Sequence, residues 1–150
     1  MKIELPNLFP DENCLFCGLG NPVGLKLRFF FDEETKEVST EYVGVKDFIG
    51  LGNVLHGGIQ SGIIDEIMGW TTHSLLKRMG VAVKLNLDFL KPVYIGKKIT
   101  VFCSIRSIEN SKVHLEARVE YNEGDVCTRA QGIYYLLPDD KFNKLIHGLE

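Results

Sequence analysis

The residues best suited to chemistry lie in the segment VLHGGIQSGIIDEIMGW, which spans residues 54–70. Gly57 and Gly58 follow His56 and open a helical pattern of apolar residues. N–H groups in the first turn of a helix have no partner within the helix, so both glycines are expected to donate to an oxygen that gains negative charge. Asp65, about two turns further along, is a candidate general base or nucleophile. The segment therefore combines oxyanion stabilisation with a candidate catalytic carboxylate.

The helical wheel places Asp65 opposite the apolar stripe of this helix. Within one subunit Asp65 would be a solvent-facing acid, and it reaches a buried site only if a partner subunit covers its face. Glu66 points about 100° away, nearer the stripe, and is a candidate for substrate binding, with a hydrogen-bonded bystander and an alternative acid as its other possible roles. Asn53 and Gln60 are candidates for substrate hydrogen bonds because they lie close to the motif.

His56 stands at the entry of the helix, where the helix dipole disfavours a cation. We therefore expect a neutral histidine that positions the turn or the substrate. The paired glycines have a plainer alternative role, which is to permit a tight turn from loop to helix.

The segment Cys14-Leu15-Phe16-Cys17-Gly18 has the cysteine spacing of half a structural zinc site. A complete site needs two more ligands, and no second pair of cysteines or histidines has such a spacing. We therefore expect a turn with no metal and no cofactor, with a metal site and a redox pair as alternatives. Cys103 and Cys127 stand alone in strand patterns, where a small buried hydrophobic residue is expected.

Composition excludes several classes of function. The chain has 150 residues, of which 45% are hydrophobic and 25% charged, as in a globular protein with one domain over residues 1–150. A formal net charge of -3 argues against nucleic acid as a partner. No apolar run is long enough to cross a membrane, and the N-terminus lacks the apolar core of a signal peptide. We therefore expect a cytoplasmic protein with reduced thiols.

Hydrophobic periodicity predicts one long helix between two groups of strands. The helical pattern runs from Gly57 to Met79, with Ile63, Ile67 and Trp70 on its apolar stripe. Three glycines interrupt this pattern, and each would weaken an isolated helix by up to ~1 kcal/mol relative to alanine. Their presence therefore indicates that the backbone of the helix packs closely against a neighbouring element at Gly58, Gly62 and Gly69. Alternating residues predict strands over 24–31, 36–43, 81–89, 99–105, 113–121 and 126–134. Residues 1–18 are expected to be an irregular lead-in, and residues 139–150 a C-terminal tail with a short helix.

This order predicts an α+β fold in which an antiparallel sheet of five to six strands wraps around one central helix. The helix entry HGG, Asp65 nine residues after His56, and the segments CLFCGLGNPVGLKLRF and GVAVKLNLDFLKPVYIGKKI resemble the hotdog-fold thioesterases of the phenylacetate-pathway (PaaI) type. The resemblance covers roughly residues 14–137. It implies hydrolysis of acyl-coenzyme A, and a homodimer or homotetramer with its sites at the subunit interface.

The chain departs from the family pattern at two positions. Gly50 stands where many members have an amide residue, and Ala82 where many have a hydroxyl residue that holds the water. Coenzyme A also needs cations for its phosphates, and Lys91, Lys97 and Lys98 are the candidates, with solvated surface charge as the alternative. Two competing functions are a non-catalytic acyl-binding module and a hotdog hydratase or dehydratase. The latter pairs a histidine with a preceding aspartate, which is not found around His56.

Overall fold

The computed structural model describes residues 1–7 and 12–147, the side chains of residues 146 and 147 excepted. Residues 8–11 of the predicted lead-in and residues 148–150 of the predicted tail lie outside the described residues. Within the described part, seven strands and two helices follow one another as β1 (Lys2–Glu4), β2 (Phe30–Asp32), β3 (Glu37–Val43), α1 (Gly57–Leu76), β4 (Gly80–Phe89), β5 (Lys98–Glu109), β6 (Lys112–Glu120), β7 (Val126–Leu136) and α2 (Asp139–His147). A short 3₁₀ turn covers Lys46–Phe48.

The seven strands form one antiparallel sheet in the order β1-β2-β3-β5-β6-β7-β4. The sheet packs around α1, so the predicted α+β architecture with a central helix is confirmed. The predicted count of five to six strands was too low, because β1 falls within the lead-in that was expected to be irregular. Its residue Lys2 pairs with Asp32 of β2.

Helix α1 buries its apolar stripe against the inner face of the sheet. Ile63 and Ile67 are buried together with Val101 of β5 and Leu115 of β6. Burial of each such side chain contributes about 1.5–3 kcal/mol to the free energy of unfolding. The helix ends at Leu76 because Lys77 adopts a left-handed conformation at φ 58°, and its N–H donates to the carbonyl oxygen of His73. Neither described helix is long and apolar enough to cross a membrane.

The first long strand predicted from the sequence differs from the structure. Pairing begins at Phe30 and not near Gly24, and Lys26 has a positive φ of 55° that interrupts an extended chain. The N–H groups of Leu25 and Leu27 instead donate to the carbonyl oxygens of Leu15 and Phe16, both at 2.9 Å. The segment before β2 is therefore bound to the lead-in turn that contains the two cysteines.

Candidate active site at the start of the central helix

The loop of residues 48–56 precedes α1 and is closed by backbone hydrogen bonds. The N–H of Gly50 donates to the carbonyl oxygen of Val54 at 2.7 Å, and the N–H of His56 donates to that of Phe48 at 2.9 Å. A Cβ at position 50 would lie 3.2 Å from the Cα of His56. Glycine therefore fits the close approach of the two ends of the loop, which is a local reason for the absence of an amide side chain at this position.

His56 caps the helix with its own side chain. Its Nδ1 accepts a hydrogen bond from the N–H of Gly58 at 2.8 Å. An imidazole nitrogen that accepts a hydrogen bond carries no proton, so this contact requires a histidine unprotonated at Nδ1. The expectation that the N–H of Gly58 is unpaired was wrong, because the histidine takes the capping role that Ser, Thr, Asp or Asn usually fills.

The backbone N–H of Gly57 is available to a ligand. Its N–H forms no hydrogen bond with another of the described residues. A Cβ at position 57 would lie 3.6 Å from the ring of Phe89, at the end of β4. The first turn of α1 therefore presents one N–H group beside an aromatic ring, and the positive end of the helix dipole adds to its effect on a nearby oxygen.

The carboxylate of Asp65 is exposed, yet a buried side chain holds it in place. The hydroxyl of Tyr134, on β7, donates to Oδ1 of Asp65 and lies 2.8 Å from the backbone oxygen of the same residue. Tyr134 is only 2% exposed. Burial, together with the neighbouring Asp65, raises the pKa of Tyr134, so the phenol remains a hydrogen-bond donor. The sequence analysis missed this residue, although the alternation of β7 points its side chain toward α1.

Glu66 faces away from the start of the helix. Its Oε2 accepts a hydrogen bond from Nε1 of Trp70 at 3.1 Å, and its Oε1 lies 3.7 Å from Sγ of Cys14. Burial raises the pKa of Glu66 above its usual value, against the opposing effect of its hydrogen-bond donors. Glu66 therefore contacts Trp70 and the lead-in turn, as the hydrogen-bonded role requires, and its role in substrate binding stays a prediction.

The two amide residues near the motif differ in their surroundings. Gln60 is 2% exposed, and its Oε1 accepts a hydrogen bond from the hydroxyl of Thr128 at 2.7 Å. This contact ties α1 to β7, so the oxygen of Gln60 is not available to a substrate. Asn53 is exposed in the loop before the helix, where its backbone oxygen accepts from the N–H of Ile95 at 3.0 Å.

The three candidate lysines lie in and beside the loop between β4 and β5, and all are exposed. Lys91 pairs with Asp125, and Lys98 pairs with Glu41 at 3.2 Å. Lys97 lies 5.9 Å from the ring centre of Tyr94 and 5.5 Å from that of Tyr121, with no ion pair to a carboxylate among the described residues. Among these three lysines Lys97 is thus the one whose ammonium group has no carboxylate partner within the described part of the chain, and it is the most available to a phosphate.

Comparison with known proteins gives the evolutionary context. A family model described as the thioesterase superfamily matches residues 52–128. Acyl-coenzyme A thioesterase THEM4 of Rattus norvegicus is 23% identical over 120 residues, which is 79% of this chain and 51% of that protein. The chain thus spans about half the length of the curated relatives it matches.

Two solved structures share the fold at low sequence identity. The E. coli PaaI protein from the phenylacetic acid degradation operon superposes with a TM-score of 0.64 and 15% identity, over 68% of this chain and 73% of that one. The protein smu.793 from Streptococcus mutans UA159, bound to acetyl CoA, has a TM-score of 0.64 and 15% identity, over 67% and 81% of the two chains. These similarities confirm the hotdog fold that the sequence resemblance implied.

Proposed function

The chain belongs to the thioesterase superfamily, and on this premise we propose that it hydrolyses acyl-coenzyme A thioesters. The observation that carries the proposal is the Asp65 carboxylate, which Tyr134 holds on the same helix whose first turn presents the N–H of Gly57. A thioester carbonyl needs both a polarising donor and an attacking group. The name of the THEM4 relatives and the acetyl CoA in the smu.793 structure support this class of substrate.

In the proposed reaction the carbonyl oxygen of the thioester accepts a hydrogen bond from Gly57 of one copy of the chain. The eight residues from Gly57 to Asp65 span about 12 Å of one helix, so the carboxylate that acts on the same thioester is Asp65 of a second copy. The carboxylate of Asp65 either removes a proton from a water molecule, whose oxygen attacks the carbonyl carbon, or attacks that carbon itself to form a mixed anhydride that water then hydrolyses to the free acid. The C–S bond then breaks, and the sulfur leaves as the thiol of coenzyme A after it takes up a proton. Rotation of the exposed His56 side chain would release the N–H of Gly58 as a second donor to the oxyanion.

We propose that a second copy of the chain completes the site, in a homodimer or homotetramer. Asp65 is exposed in the single chain, and a carboxylate in open solvent is a weak base or nucleophile. Strand β4 lies at the edge of the sheet and carries two large apolar side chains that are exposed, Val83 at 56% and Phe89 at 54%. The ring of Phe89 also lies beside Gly57, so a partner bound at this edge would lie beside the proposed site.

The phosphates of coenzyme A are assigned to the lysine group of Lys91, Lys97 and Lys98. Lys97 contributes most, since the other two already pair with carboxylates. Asn53 is proposed to form a hydrogen bond with the substrate near the helix entry, because its side chain is exposed there. The proposed location is the cytoplasm, where free thiols such as those of Cys14 and Cys17 stay reduced.

A non-catalytic acyl-binding module is the second candidate. The observation that favours it is the N–H of Gly58, which His56 occupies, so that only part of the expected oxyanion site is open. A binder gains nothing from a carboxylate placed beside the acyl group, because desolvation of that charge is costly. Asp65 therefore favours hydrolysis.

Release of free thiol from short-chain, long-chain and aromatic acyl-CoAs tests the proposal. The protein is used at a concentration far below that of the substrate, so its own four cysteines add only a constant background. Thiol release in proportion to enzyme supports a thioesterase. Absence of turnover on every substrate, together with an intact acyl ligand that co-purifies, would establish the binding module instead.

A further inference from the structure

The lead-in turn brings two sulfur atoms close together. The N–H of Gly18 donates to the carbonyl oxygen of Cys14 at 2.9 Å, and the N–H of Cys17 lies 3.4 Å from Sγ of Cys14. A Cβ at position 18 would lie 2.6 Å from backbone atoms of Cys14, so the turn requires glycine at this position. The backbone therefore fixes the geometry of the cysteine pair before any side chain outside the turn contributes.

The turn docks onto α1 at a fixed place. The ring of Phe16 fills the space beside Gly62, where a Cβ would lie 1.9 Å from Cζ of the ring. Glu66 follows Gly62 by one helical turn, so the same docking brings its carboxylate to the sulfur atoms. One ligand atom from each of Cys14, Cys17 and Glu66 lies within 4.8 Å of the other two.

The three side chains supply the kinds of ligand atom that zinc binds, and the Cys14–Glu66 pair has the spacing of neighbouring zinc ligands. Zinc binds thiolates at about 2.3 Å and carboxylate oxygens at about 2.0–2.2 Å in tetrahedral geometry, which places neighbouring sulfur and oxygen ligands roughly 3.5 Å apart. Sγ of Cys14 and Oε1 of Glu66 are 3.7 Å apart. Trp70 holds Oε2 at 3.1 Å and so leaves Oε1 directed at the sulfurs, as a supporting residue does in metal sites.

We propose that Cys14, Cys17 and Glu66 bind one zinc ion, which fastens the lead-in turn to the central helix. Binding displaces the thiol protons to solvent, and water fills the fourth position. The sequence alone indicated no metal because it shows only the two cysteines, whereas the third ligand lies 52 residues after Cys14. The site lies on the Trp70 side of α1 and does not depend on thioester hydrolysis by the chain.

Metal titration tests the proposal. The full chain is purified under reducing conditions, stripped with a chelator and titrated with ZnCl₂, and in parallel with CoCl₂, whose visible spectrum reports tetrahedral thiolate ligation. We expect one metal ion per chain. Cys14→Ser and Glu66→Gln should each weaken binding at least about tenfold, whereas Cys127→Ser, which removes a buried thiol elsewhere, should bind as the wild type does.

A second measurement separates loss of the site from loss of the fold. Saturating zinc should raise the Tm of the wild type and of Cys127→Ser, and should leave the Tm of Cys14→Ser unchanged. Wild-type protein that takes up neither zinc nor cobalt while its thiols are reduced would overturn the proposal. Zinc uptake that Cys14→Ser leaves undiminished would also overturn it, because the metal would then bind elsewhere.

Discussion

Asp65 and Tyr134 form the residue pair on which the proposed chemistry depends. A carboxylate at the surface of a single chain is free to rotate, and a phenol buried beneath it restricts that motion through a hydrogen bond. The same hydroxyl contacts the backbone oxygen of Asp65, so Tyr134 positions both the residue and its side chain. Tyr134 is therefore a positioning residue.

Removal of this hydroxyl should slow the reaction without weakening substrate binding. For Tyr134→Phe we expect kcat to fall roughly tenfold with KM little changed, because the carboxylate loses its alignment. The lost hydrogen bond should also cost about 1 kcal/mol of stability. Tyr135→Phe, a half-buried neighbour on the opposite face of β7, is the control in steady-state kinetics. Equal kcat values for the two variants would remove Tyr134 from the mechanism.

His73 makes stability depend on pH. The residue is 5% exposed, and burial, with a smaller contribution from Lys77, lowers its pKa from the usual 6.5 to about 4. Between these values the unfolded chain binds a proton that the folded chain does not. The free energy of unfolding should therefore fall as the pH falls below 6.5, by up to about 1.4 kcal/mol per pH unit.

Urea unfolding at several pH values, from neutral to about pH 5, measures this effect. Glu66 acts in the opposite direction, because its pKa is raised in the folded chain. The comparison of the wild type with His73→Gln isolates the histidine, and the variant should show a flatter dependence. Parallel curves for the two proteins would contradict the assignment to His73.

The sequence reveals which single residues are candidates but not which of them meet. Asp65 and Gly57 are visible because their spacing within one helix is local. The contacts of Asp65 with Tyr134 and of Cys14 with Glu66 join residues 69 and 52 positions apart. Linear spacing cannot indicate such pairs. The cap from His56 to Gly58 is local, but a histidine is not one of the usual capping residues.

At the scale of elements, hydrophobic periodicity predicted the helix and the strands that bury one face. Helix α1 and the strands after it were predicted because each buries one face, and the apolar residues on that face recur at the period of a helix or a strand. Strand β1 has three exposed residues and leaves no such pattern. The segment before β2 looked like a strand because Leu27 and Phe29 are buried, although its hydrogen bonds connect it mainly to the lead-in turn.

The glycines of α1 give a matched test of helix packing. A Cβ at Gly62 would overlap the ring of Phe16, whereas a Cβ at Gly69 would meet nothing within 4 Å. The expectation of close packing is therefore confirmed at Gly62 and wrong at Gly69. Gly62→Ala should lose up to ~2 kcal/mol, because overpacking outweighs the gain in helix propensity. Gly69→Ala should gain up to ~1 kcal/mol.

Urea unfolding of the two variants side by side measures this difference. The helix propensity of alanine is the same at both positions, so the contrast reports only the docking of Phe16. Stabilisation of similar size in both variants would show that Phe16 does not pack against the helix in solution.

For the whole molecule, the proposed assembly depends on the free edge of β4. An edge strand with exposed apolar side chains is prone to pair with another chain, and this edge lies beside the start of α1. Val83→Asp places a charge on that edge and should convert the oligomer to a monomer. Hydrolytic activity should fall with it, because the site loses the partner that covers Asp65.

Sedimentation velocity on the wild type and the variant gives the oligomeric state. Ile108→Asp is the control, since Ile108 is 48% exposed on β5, away from the β4 edge. The control should remain an oligomer. A wild type that sediments as a monomer and still hydrolyses acyl-CoA would contradict the shared site.

Thiol release by Asp65→Asn, compared with Asp140→Asn, tests the central claim most directly. The first substitution removes the proposed catalytic carboxylate, and the second removes an exposed acid from the first turn of α2. We predict that Asp65→Asn folds and binds acyl-CoA but loses at least about 10²-fold in kcat, whereas Asp140→Asn retains wild-type kcat. Near-full activity in Asp65→Asn would contradict the account.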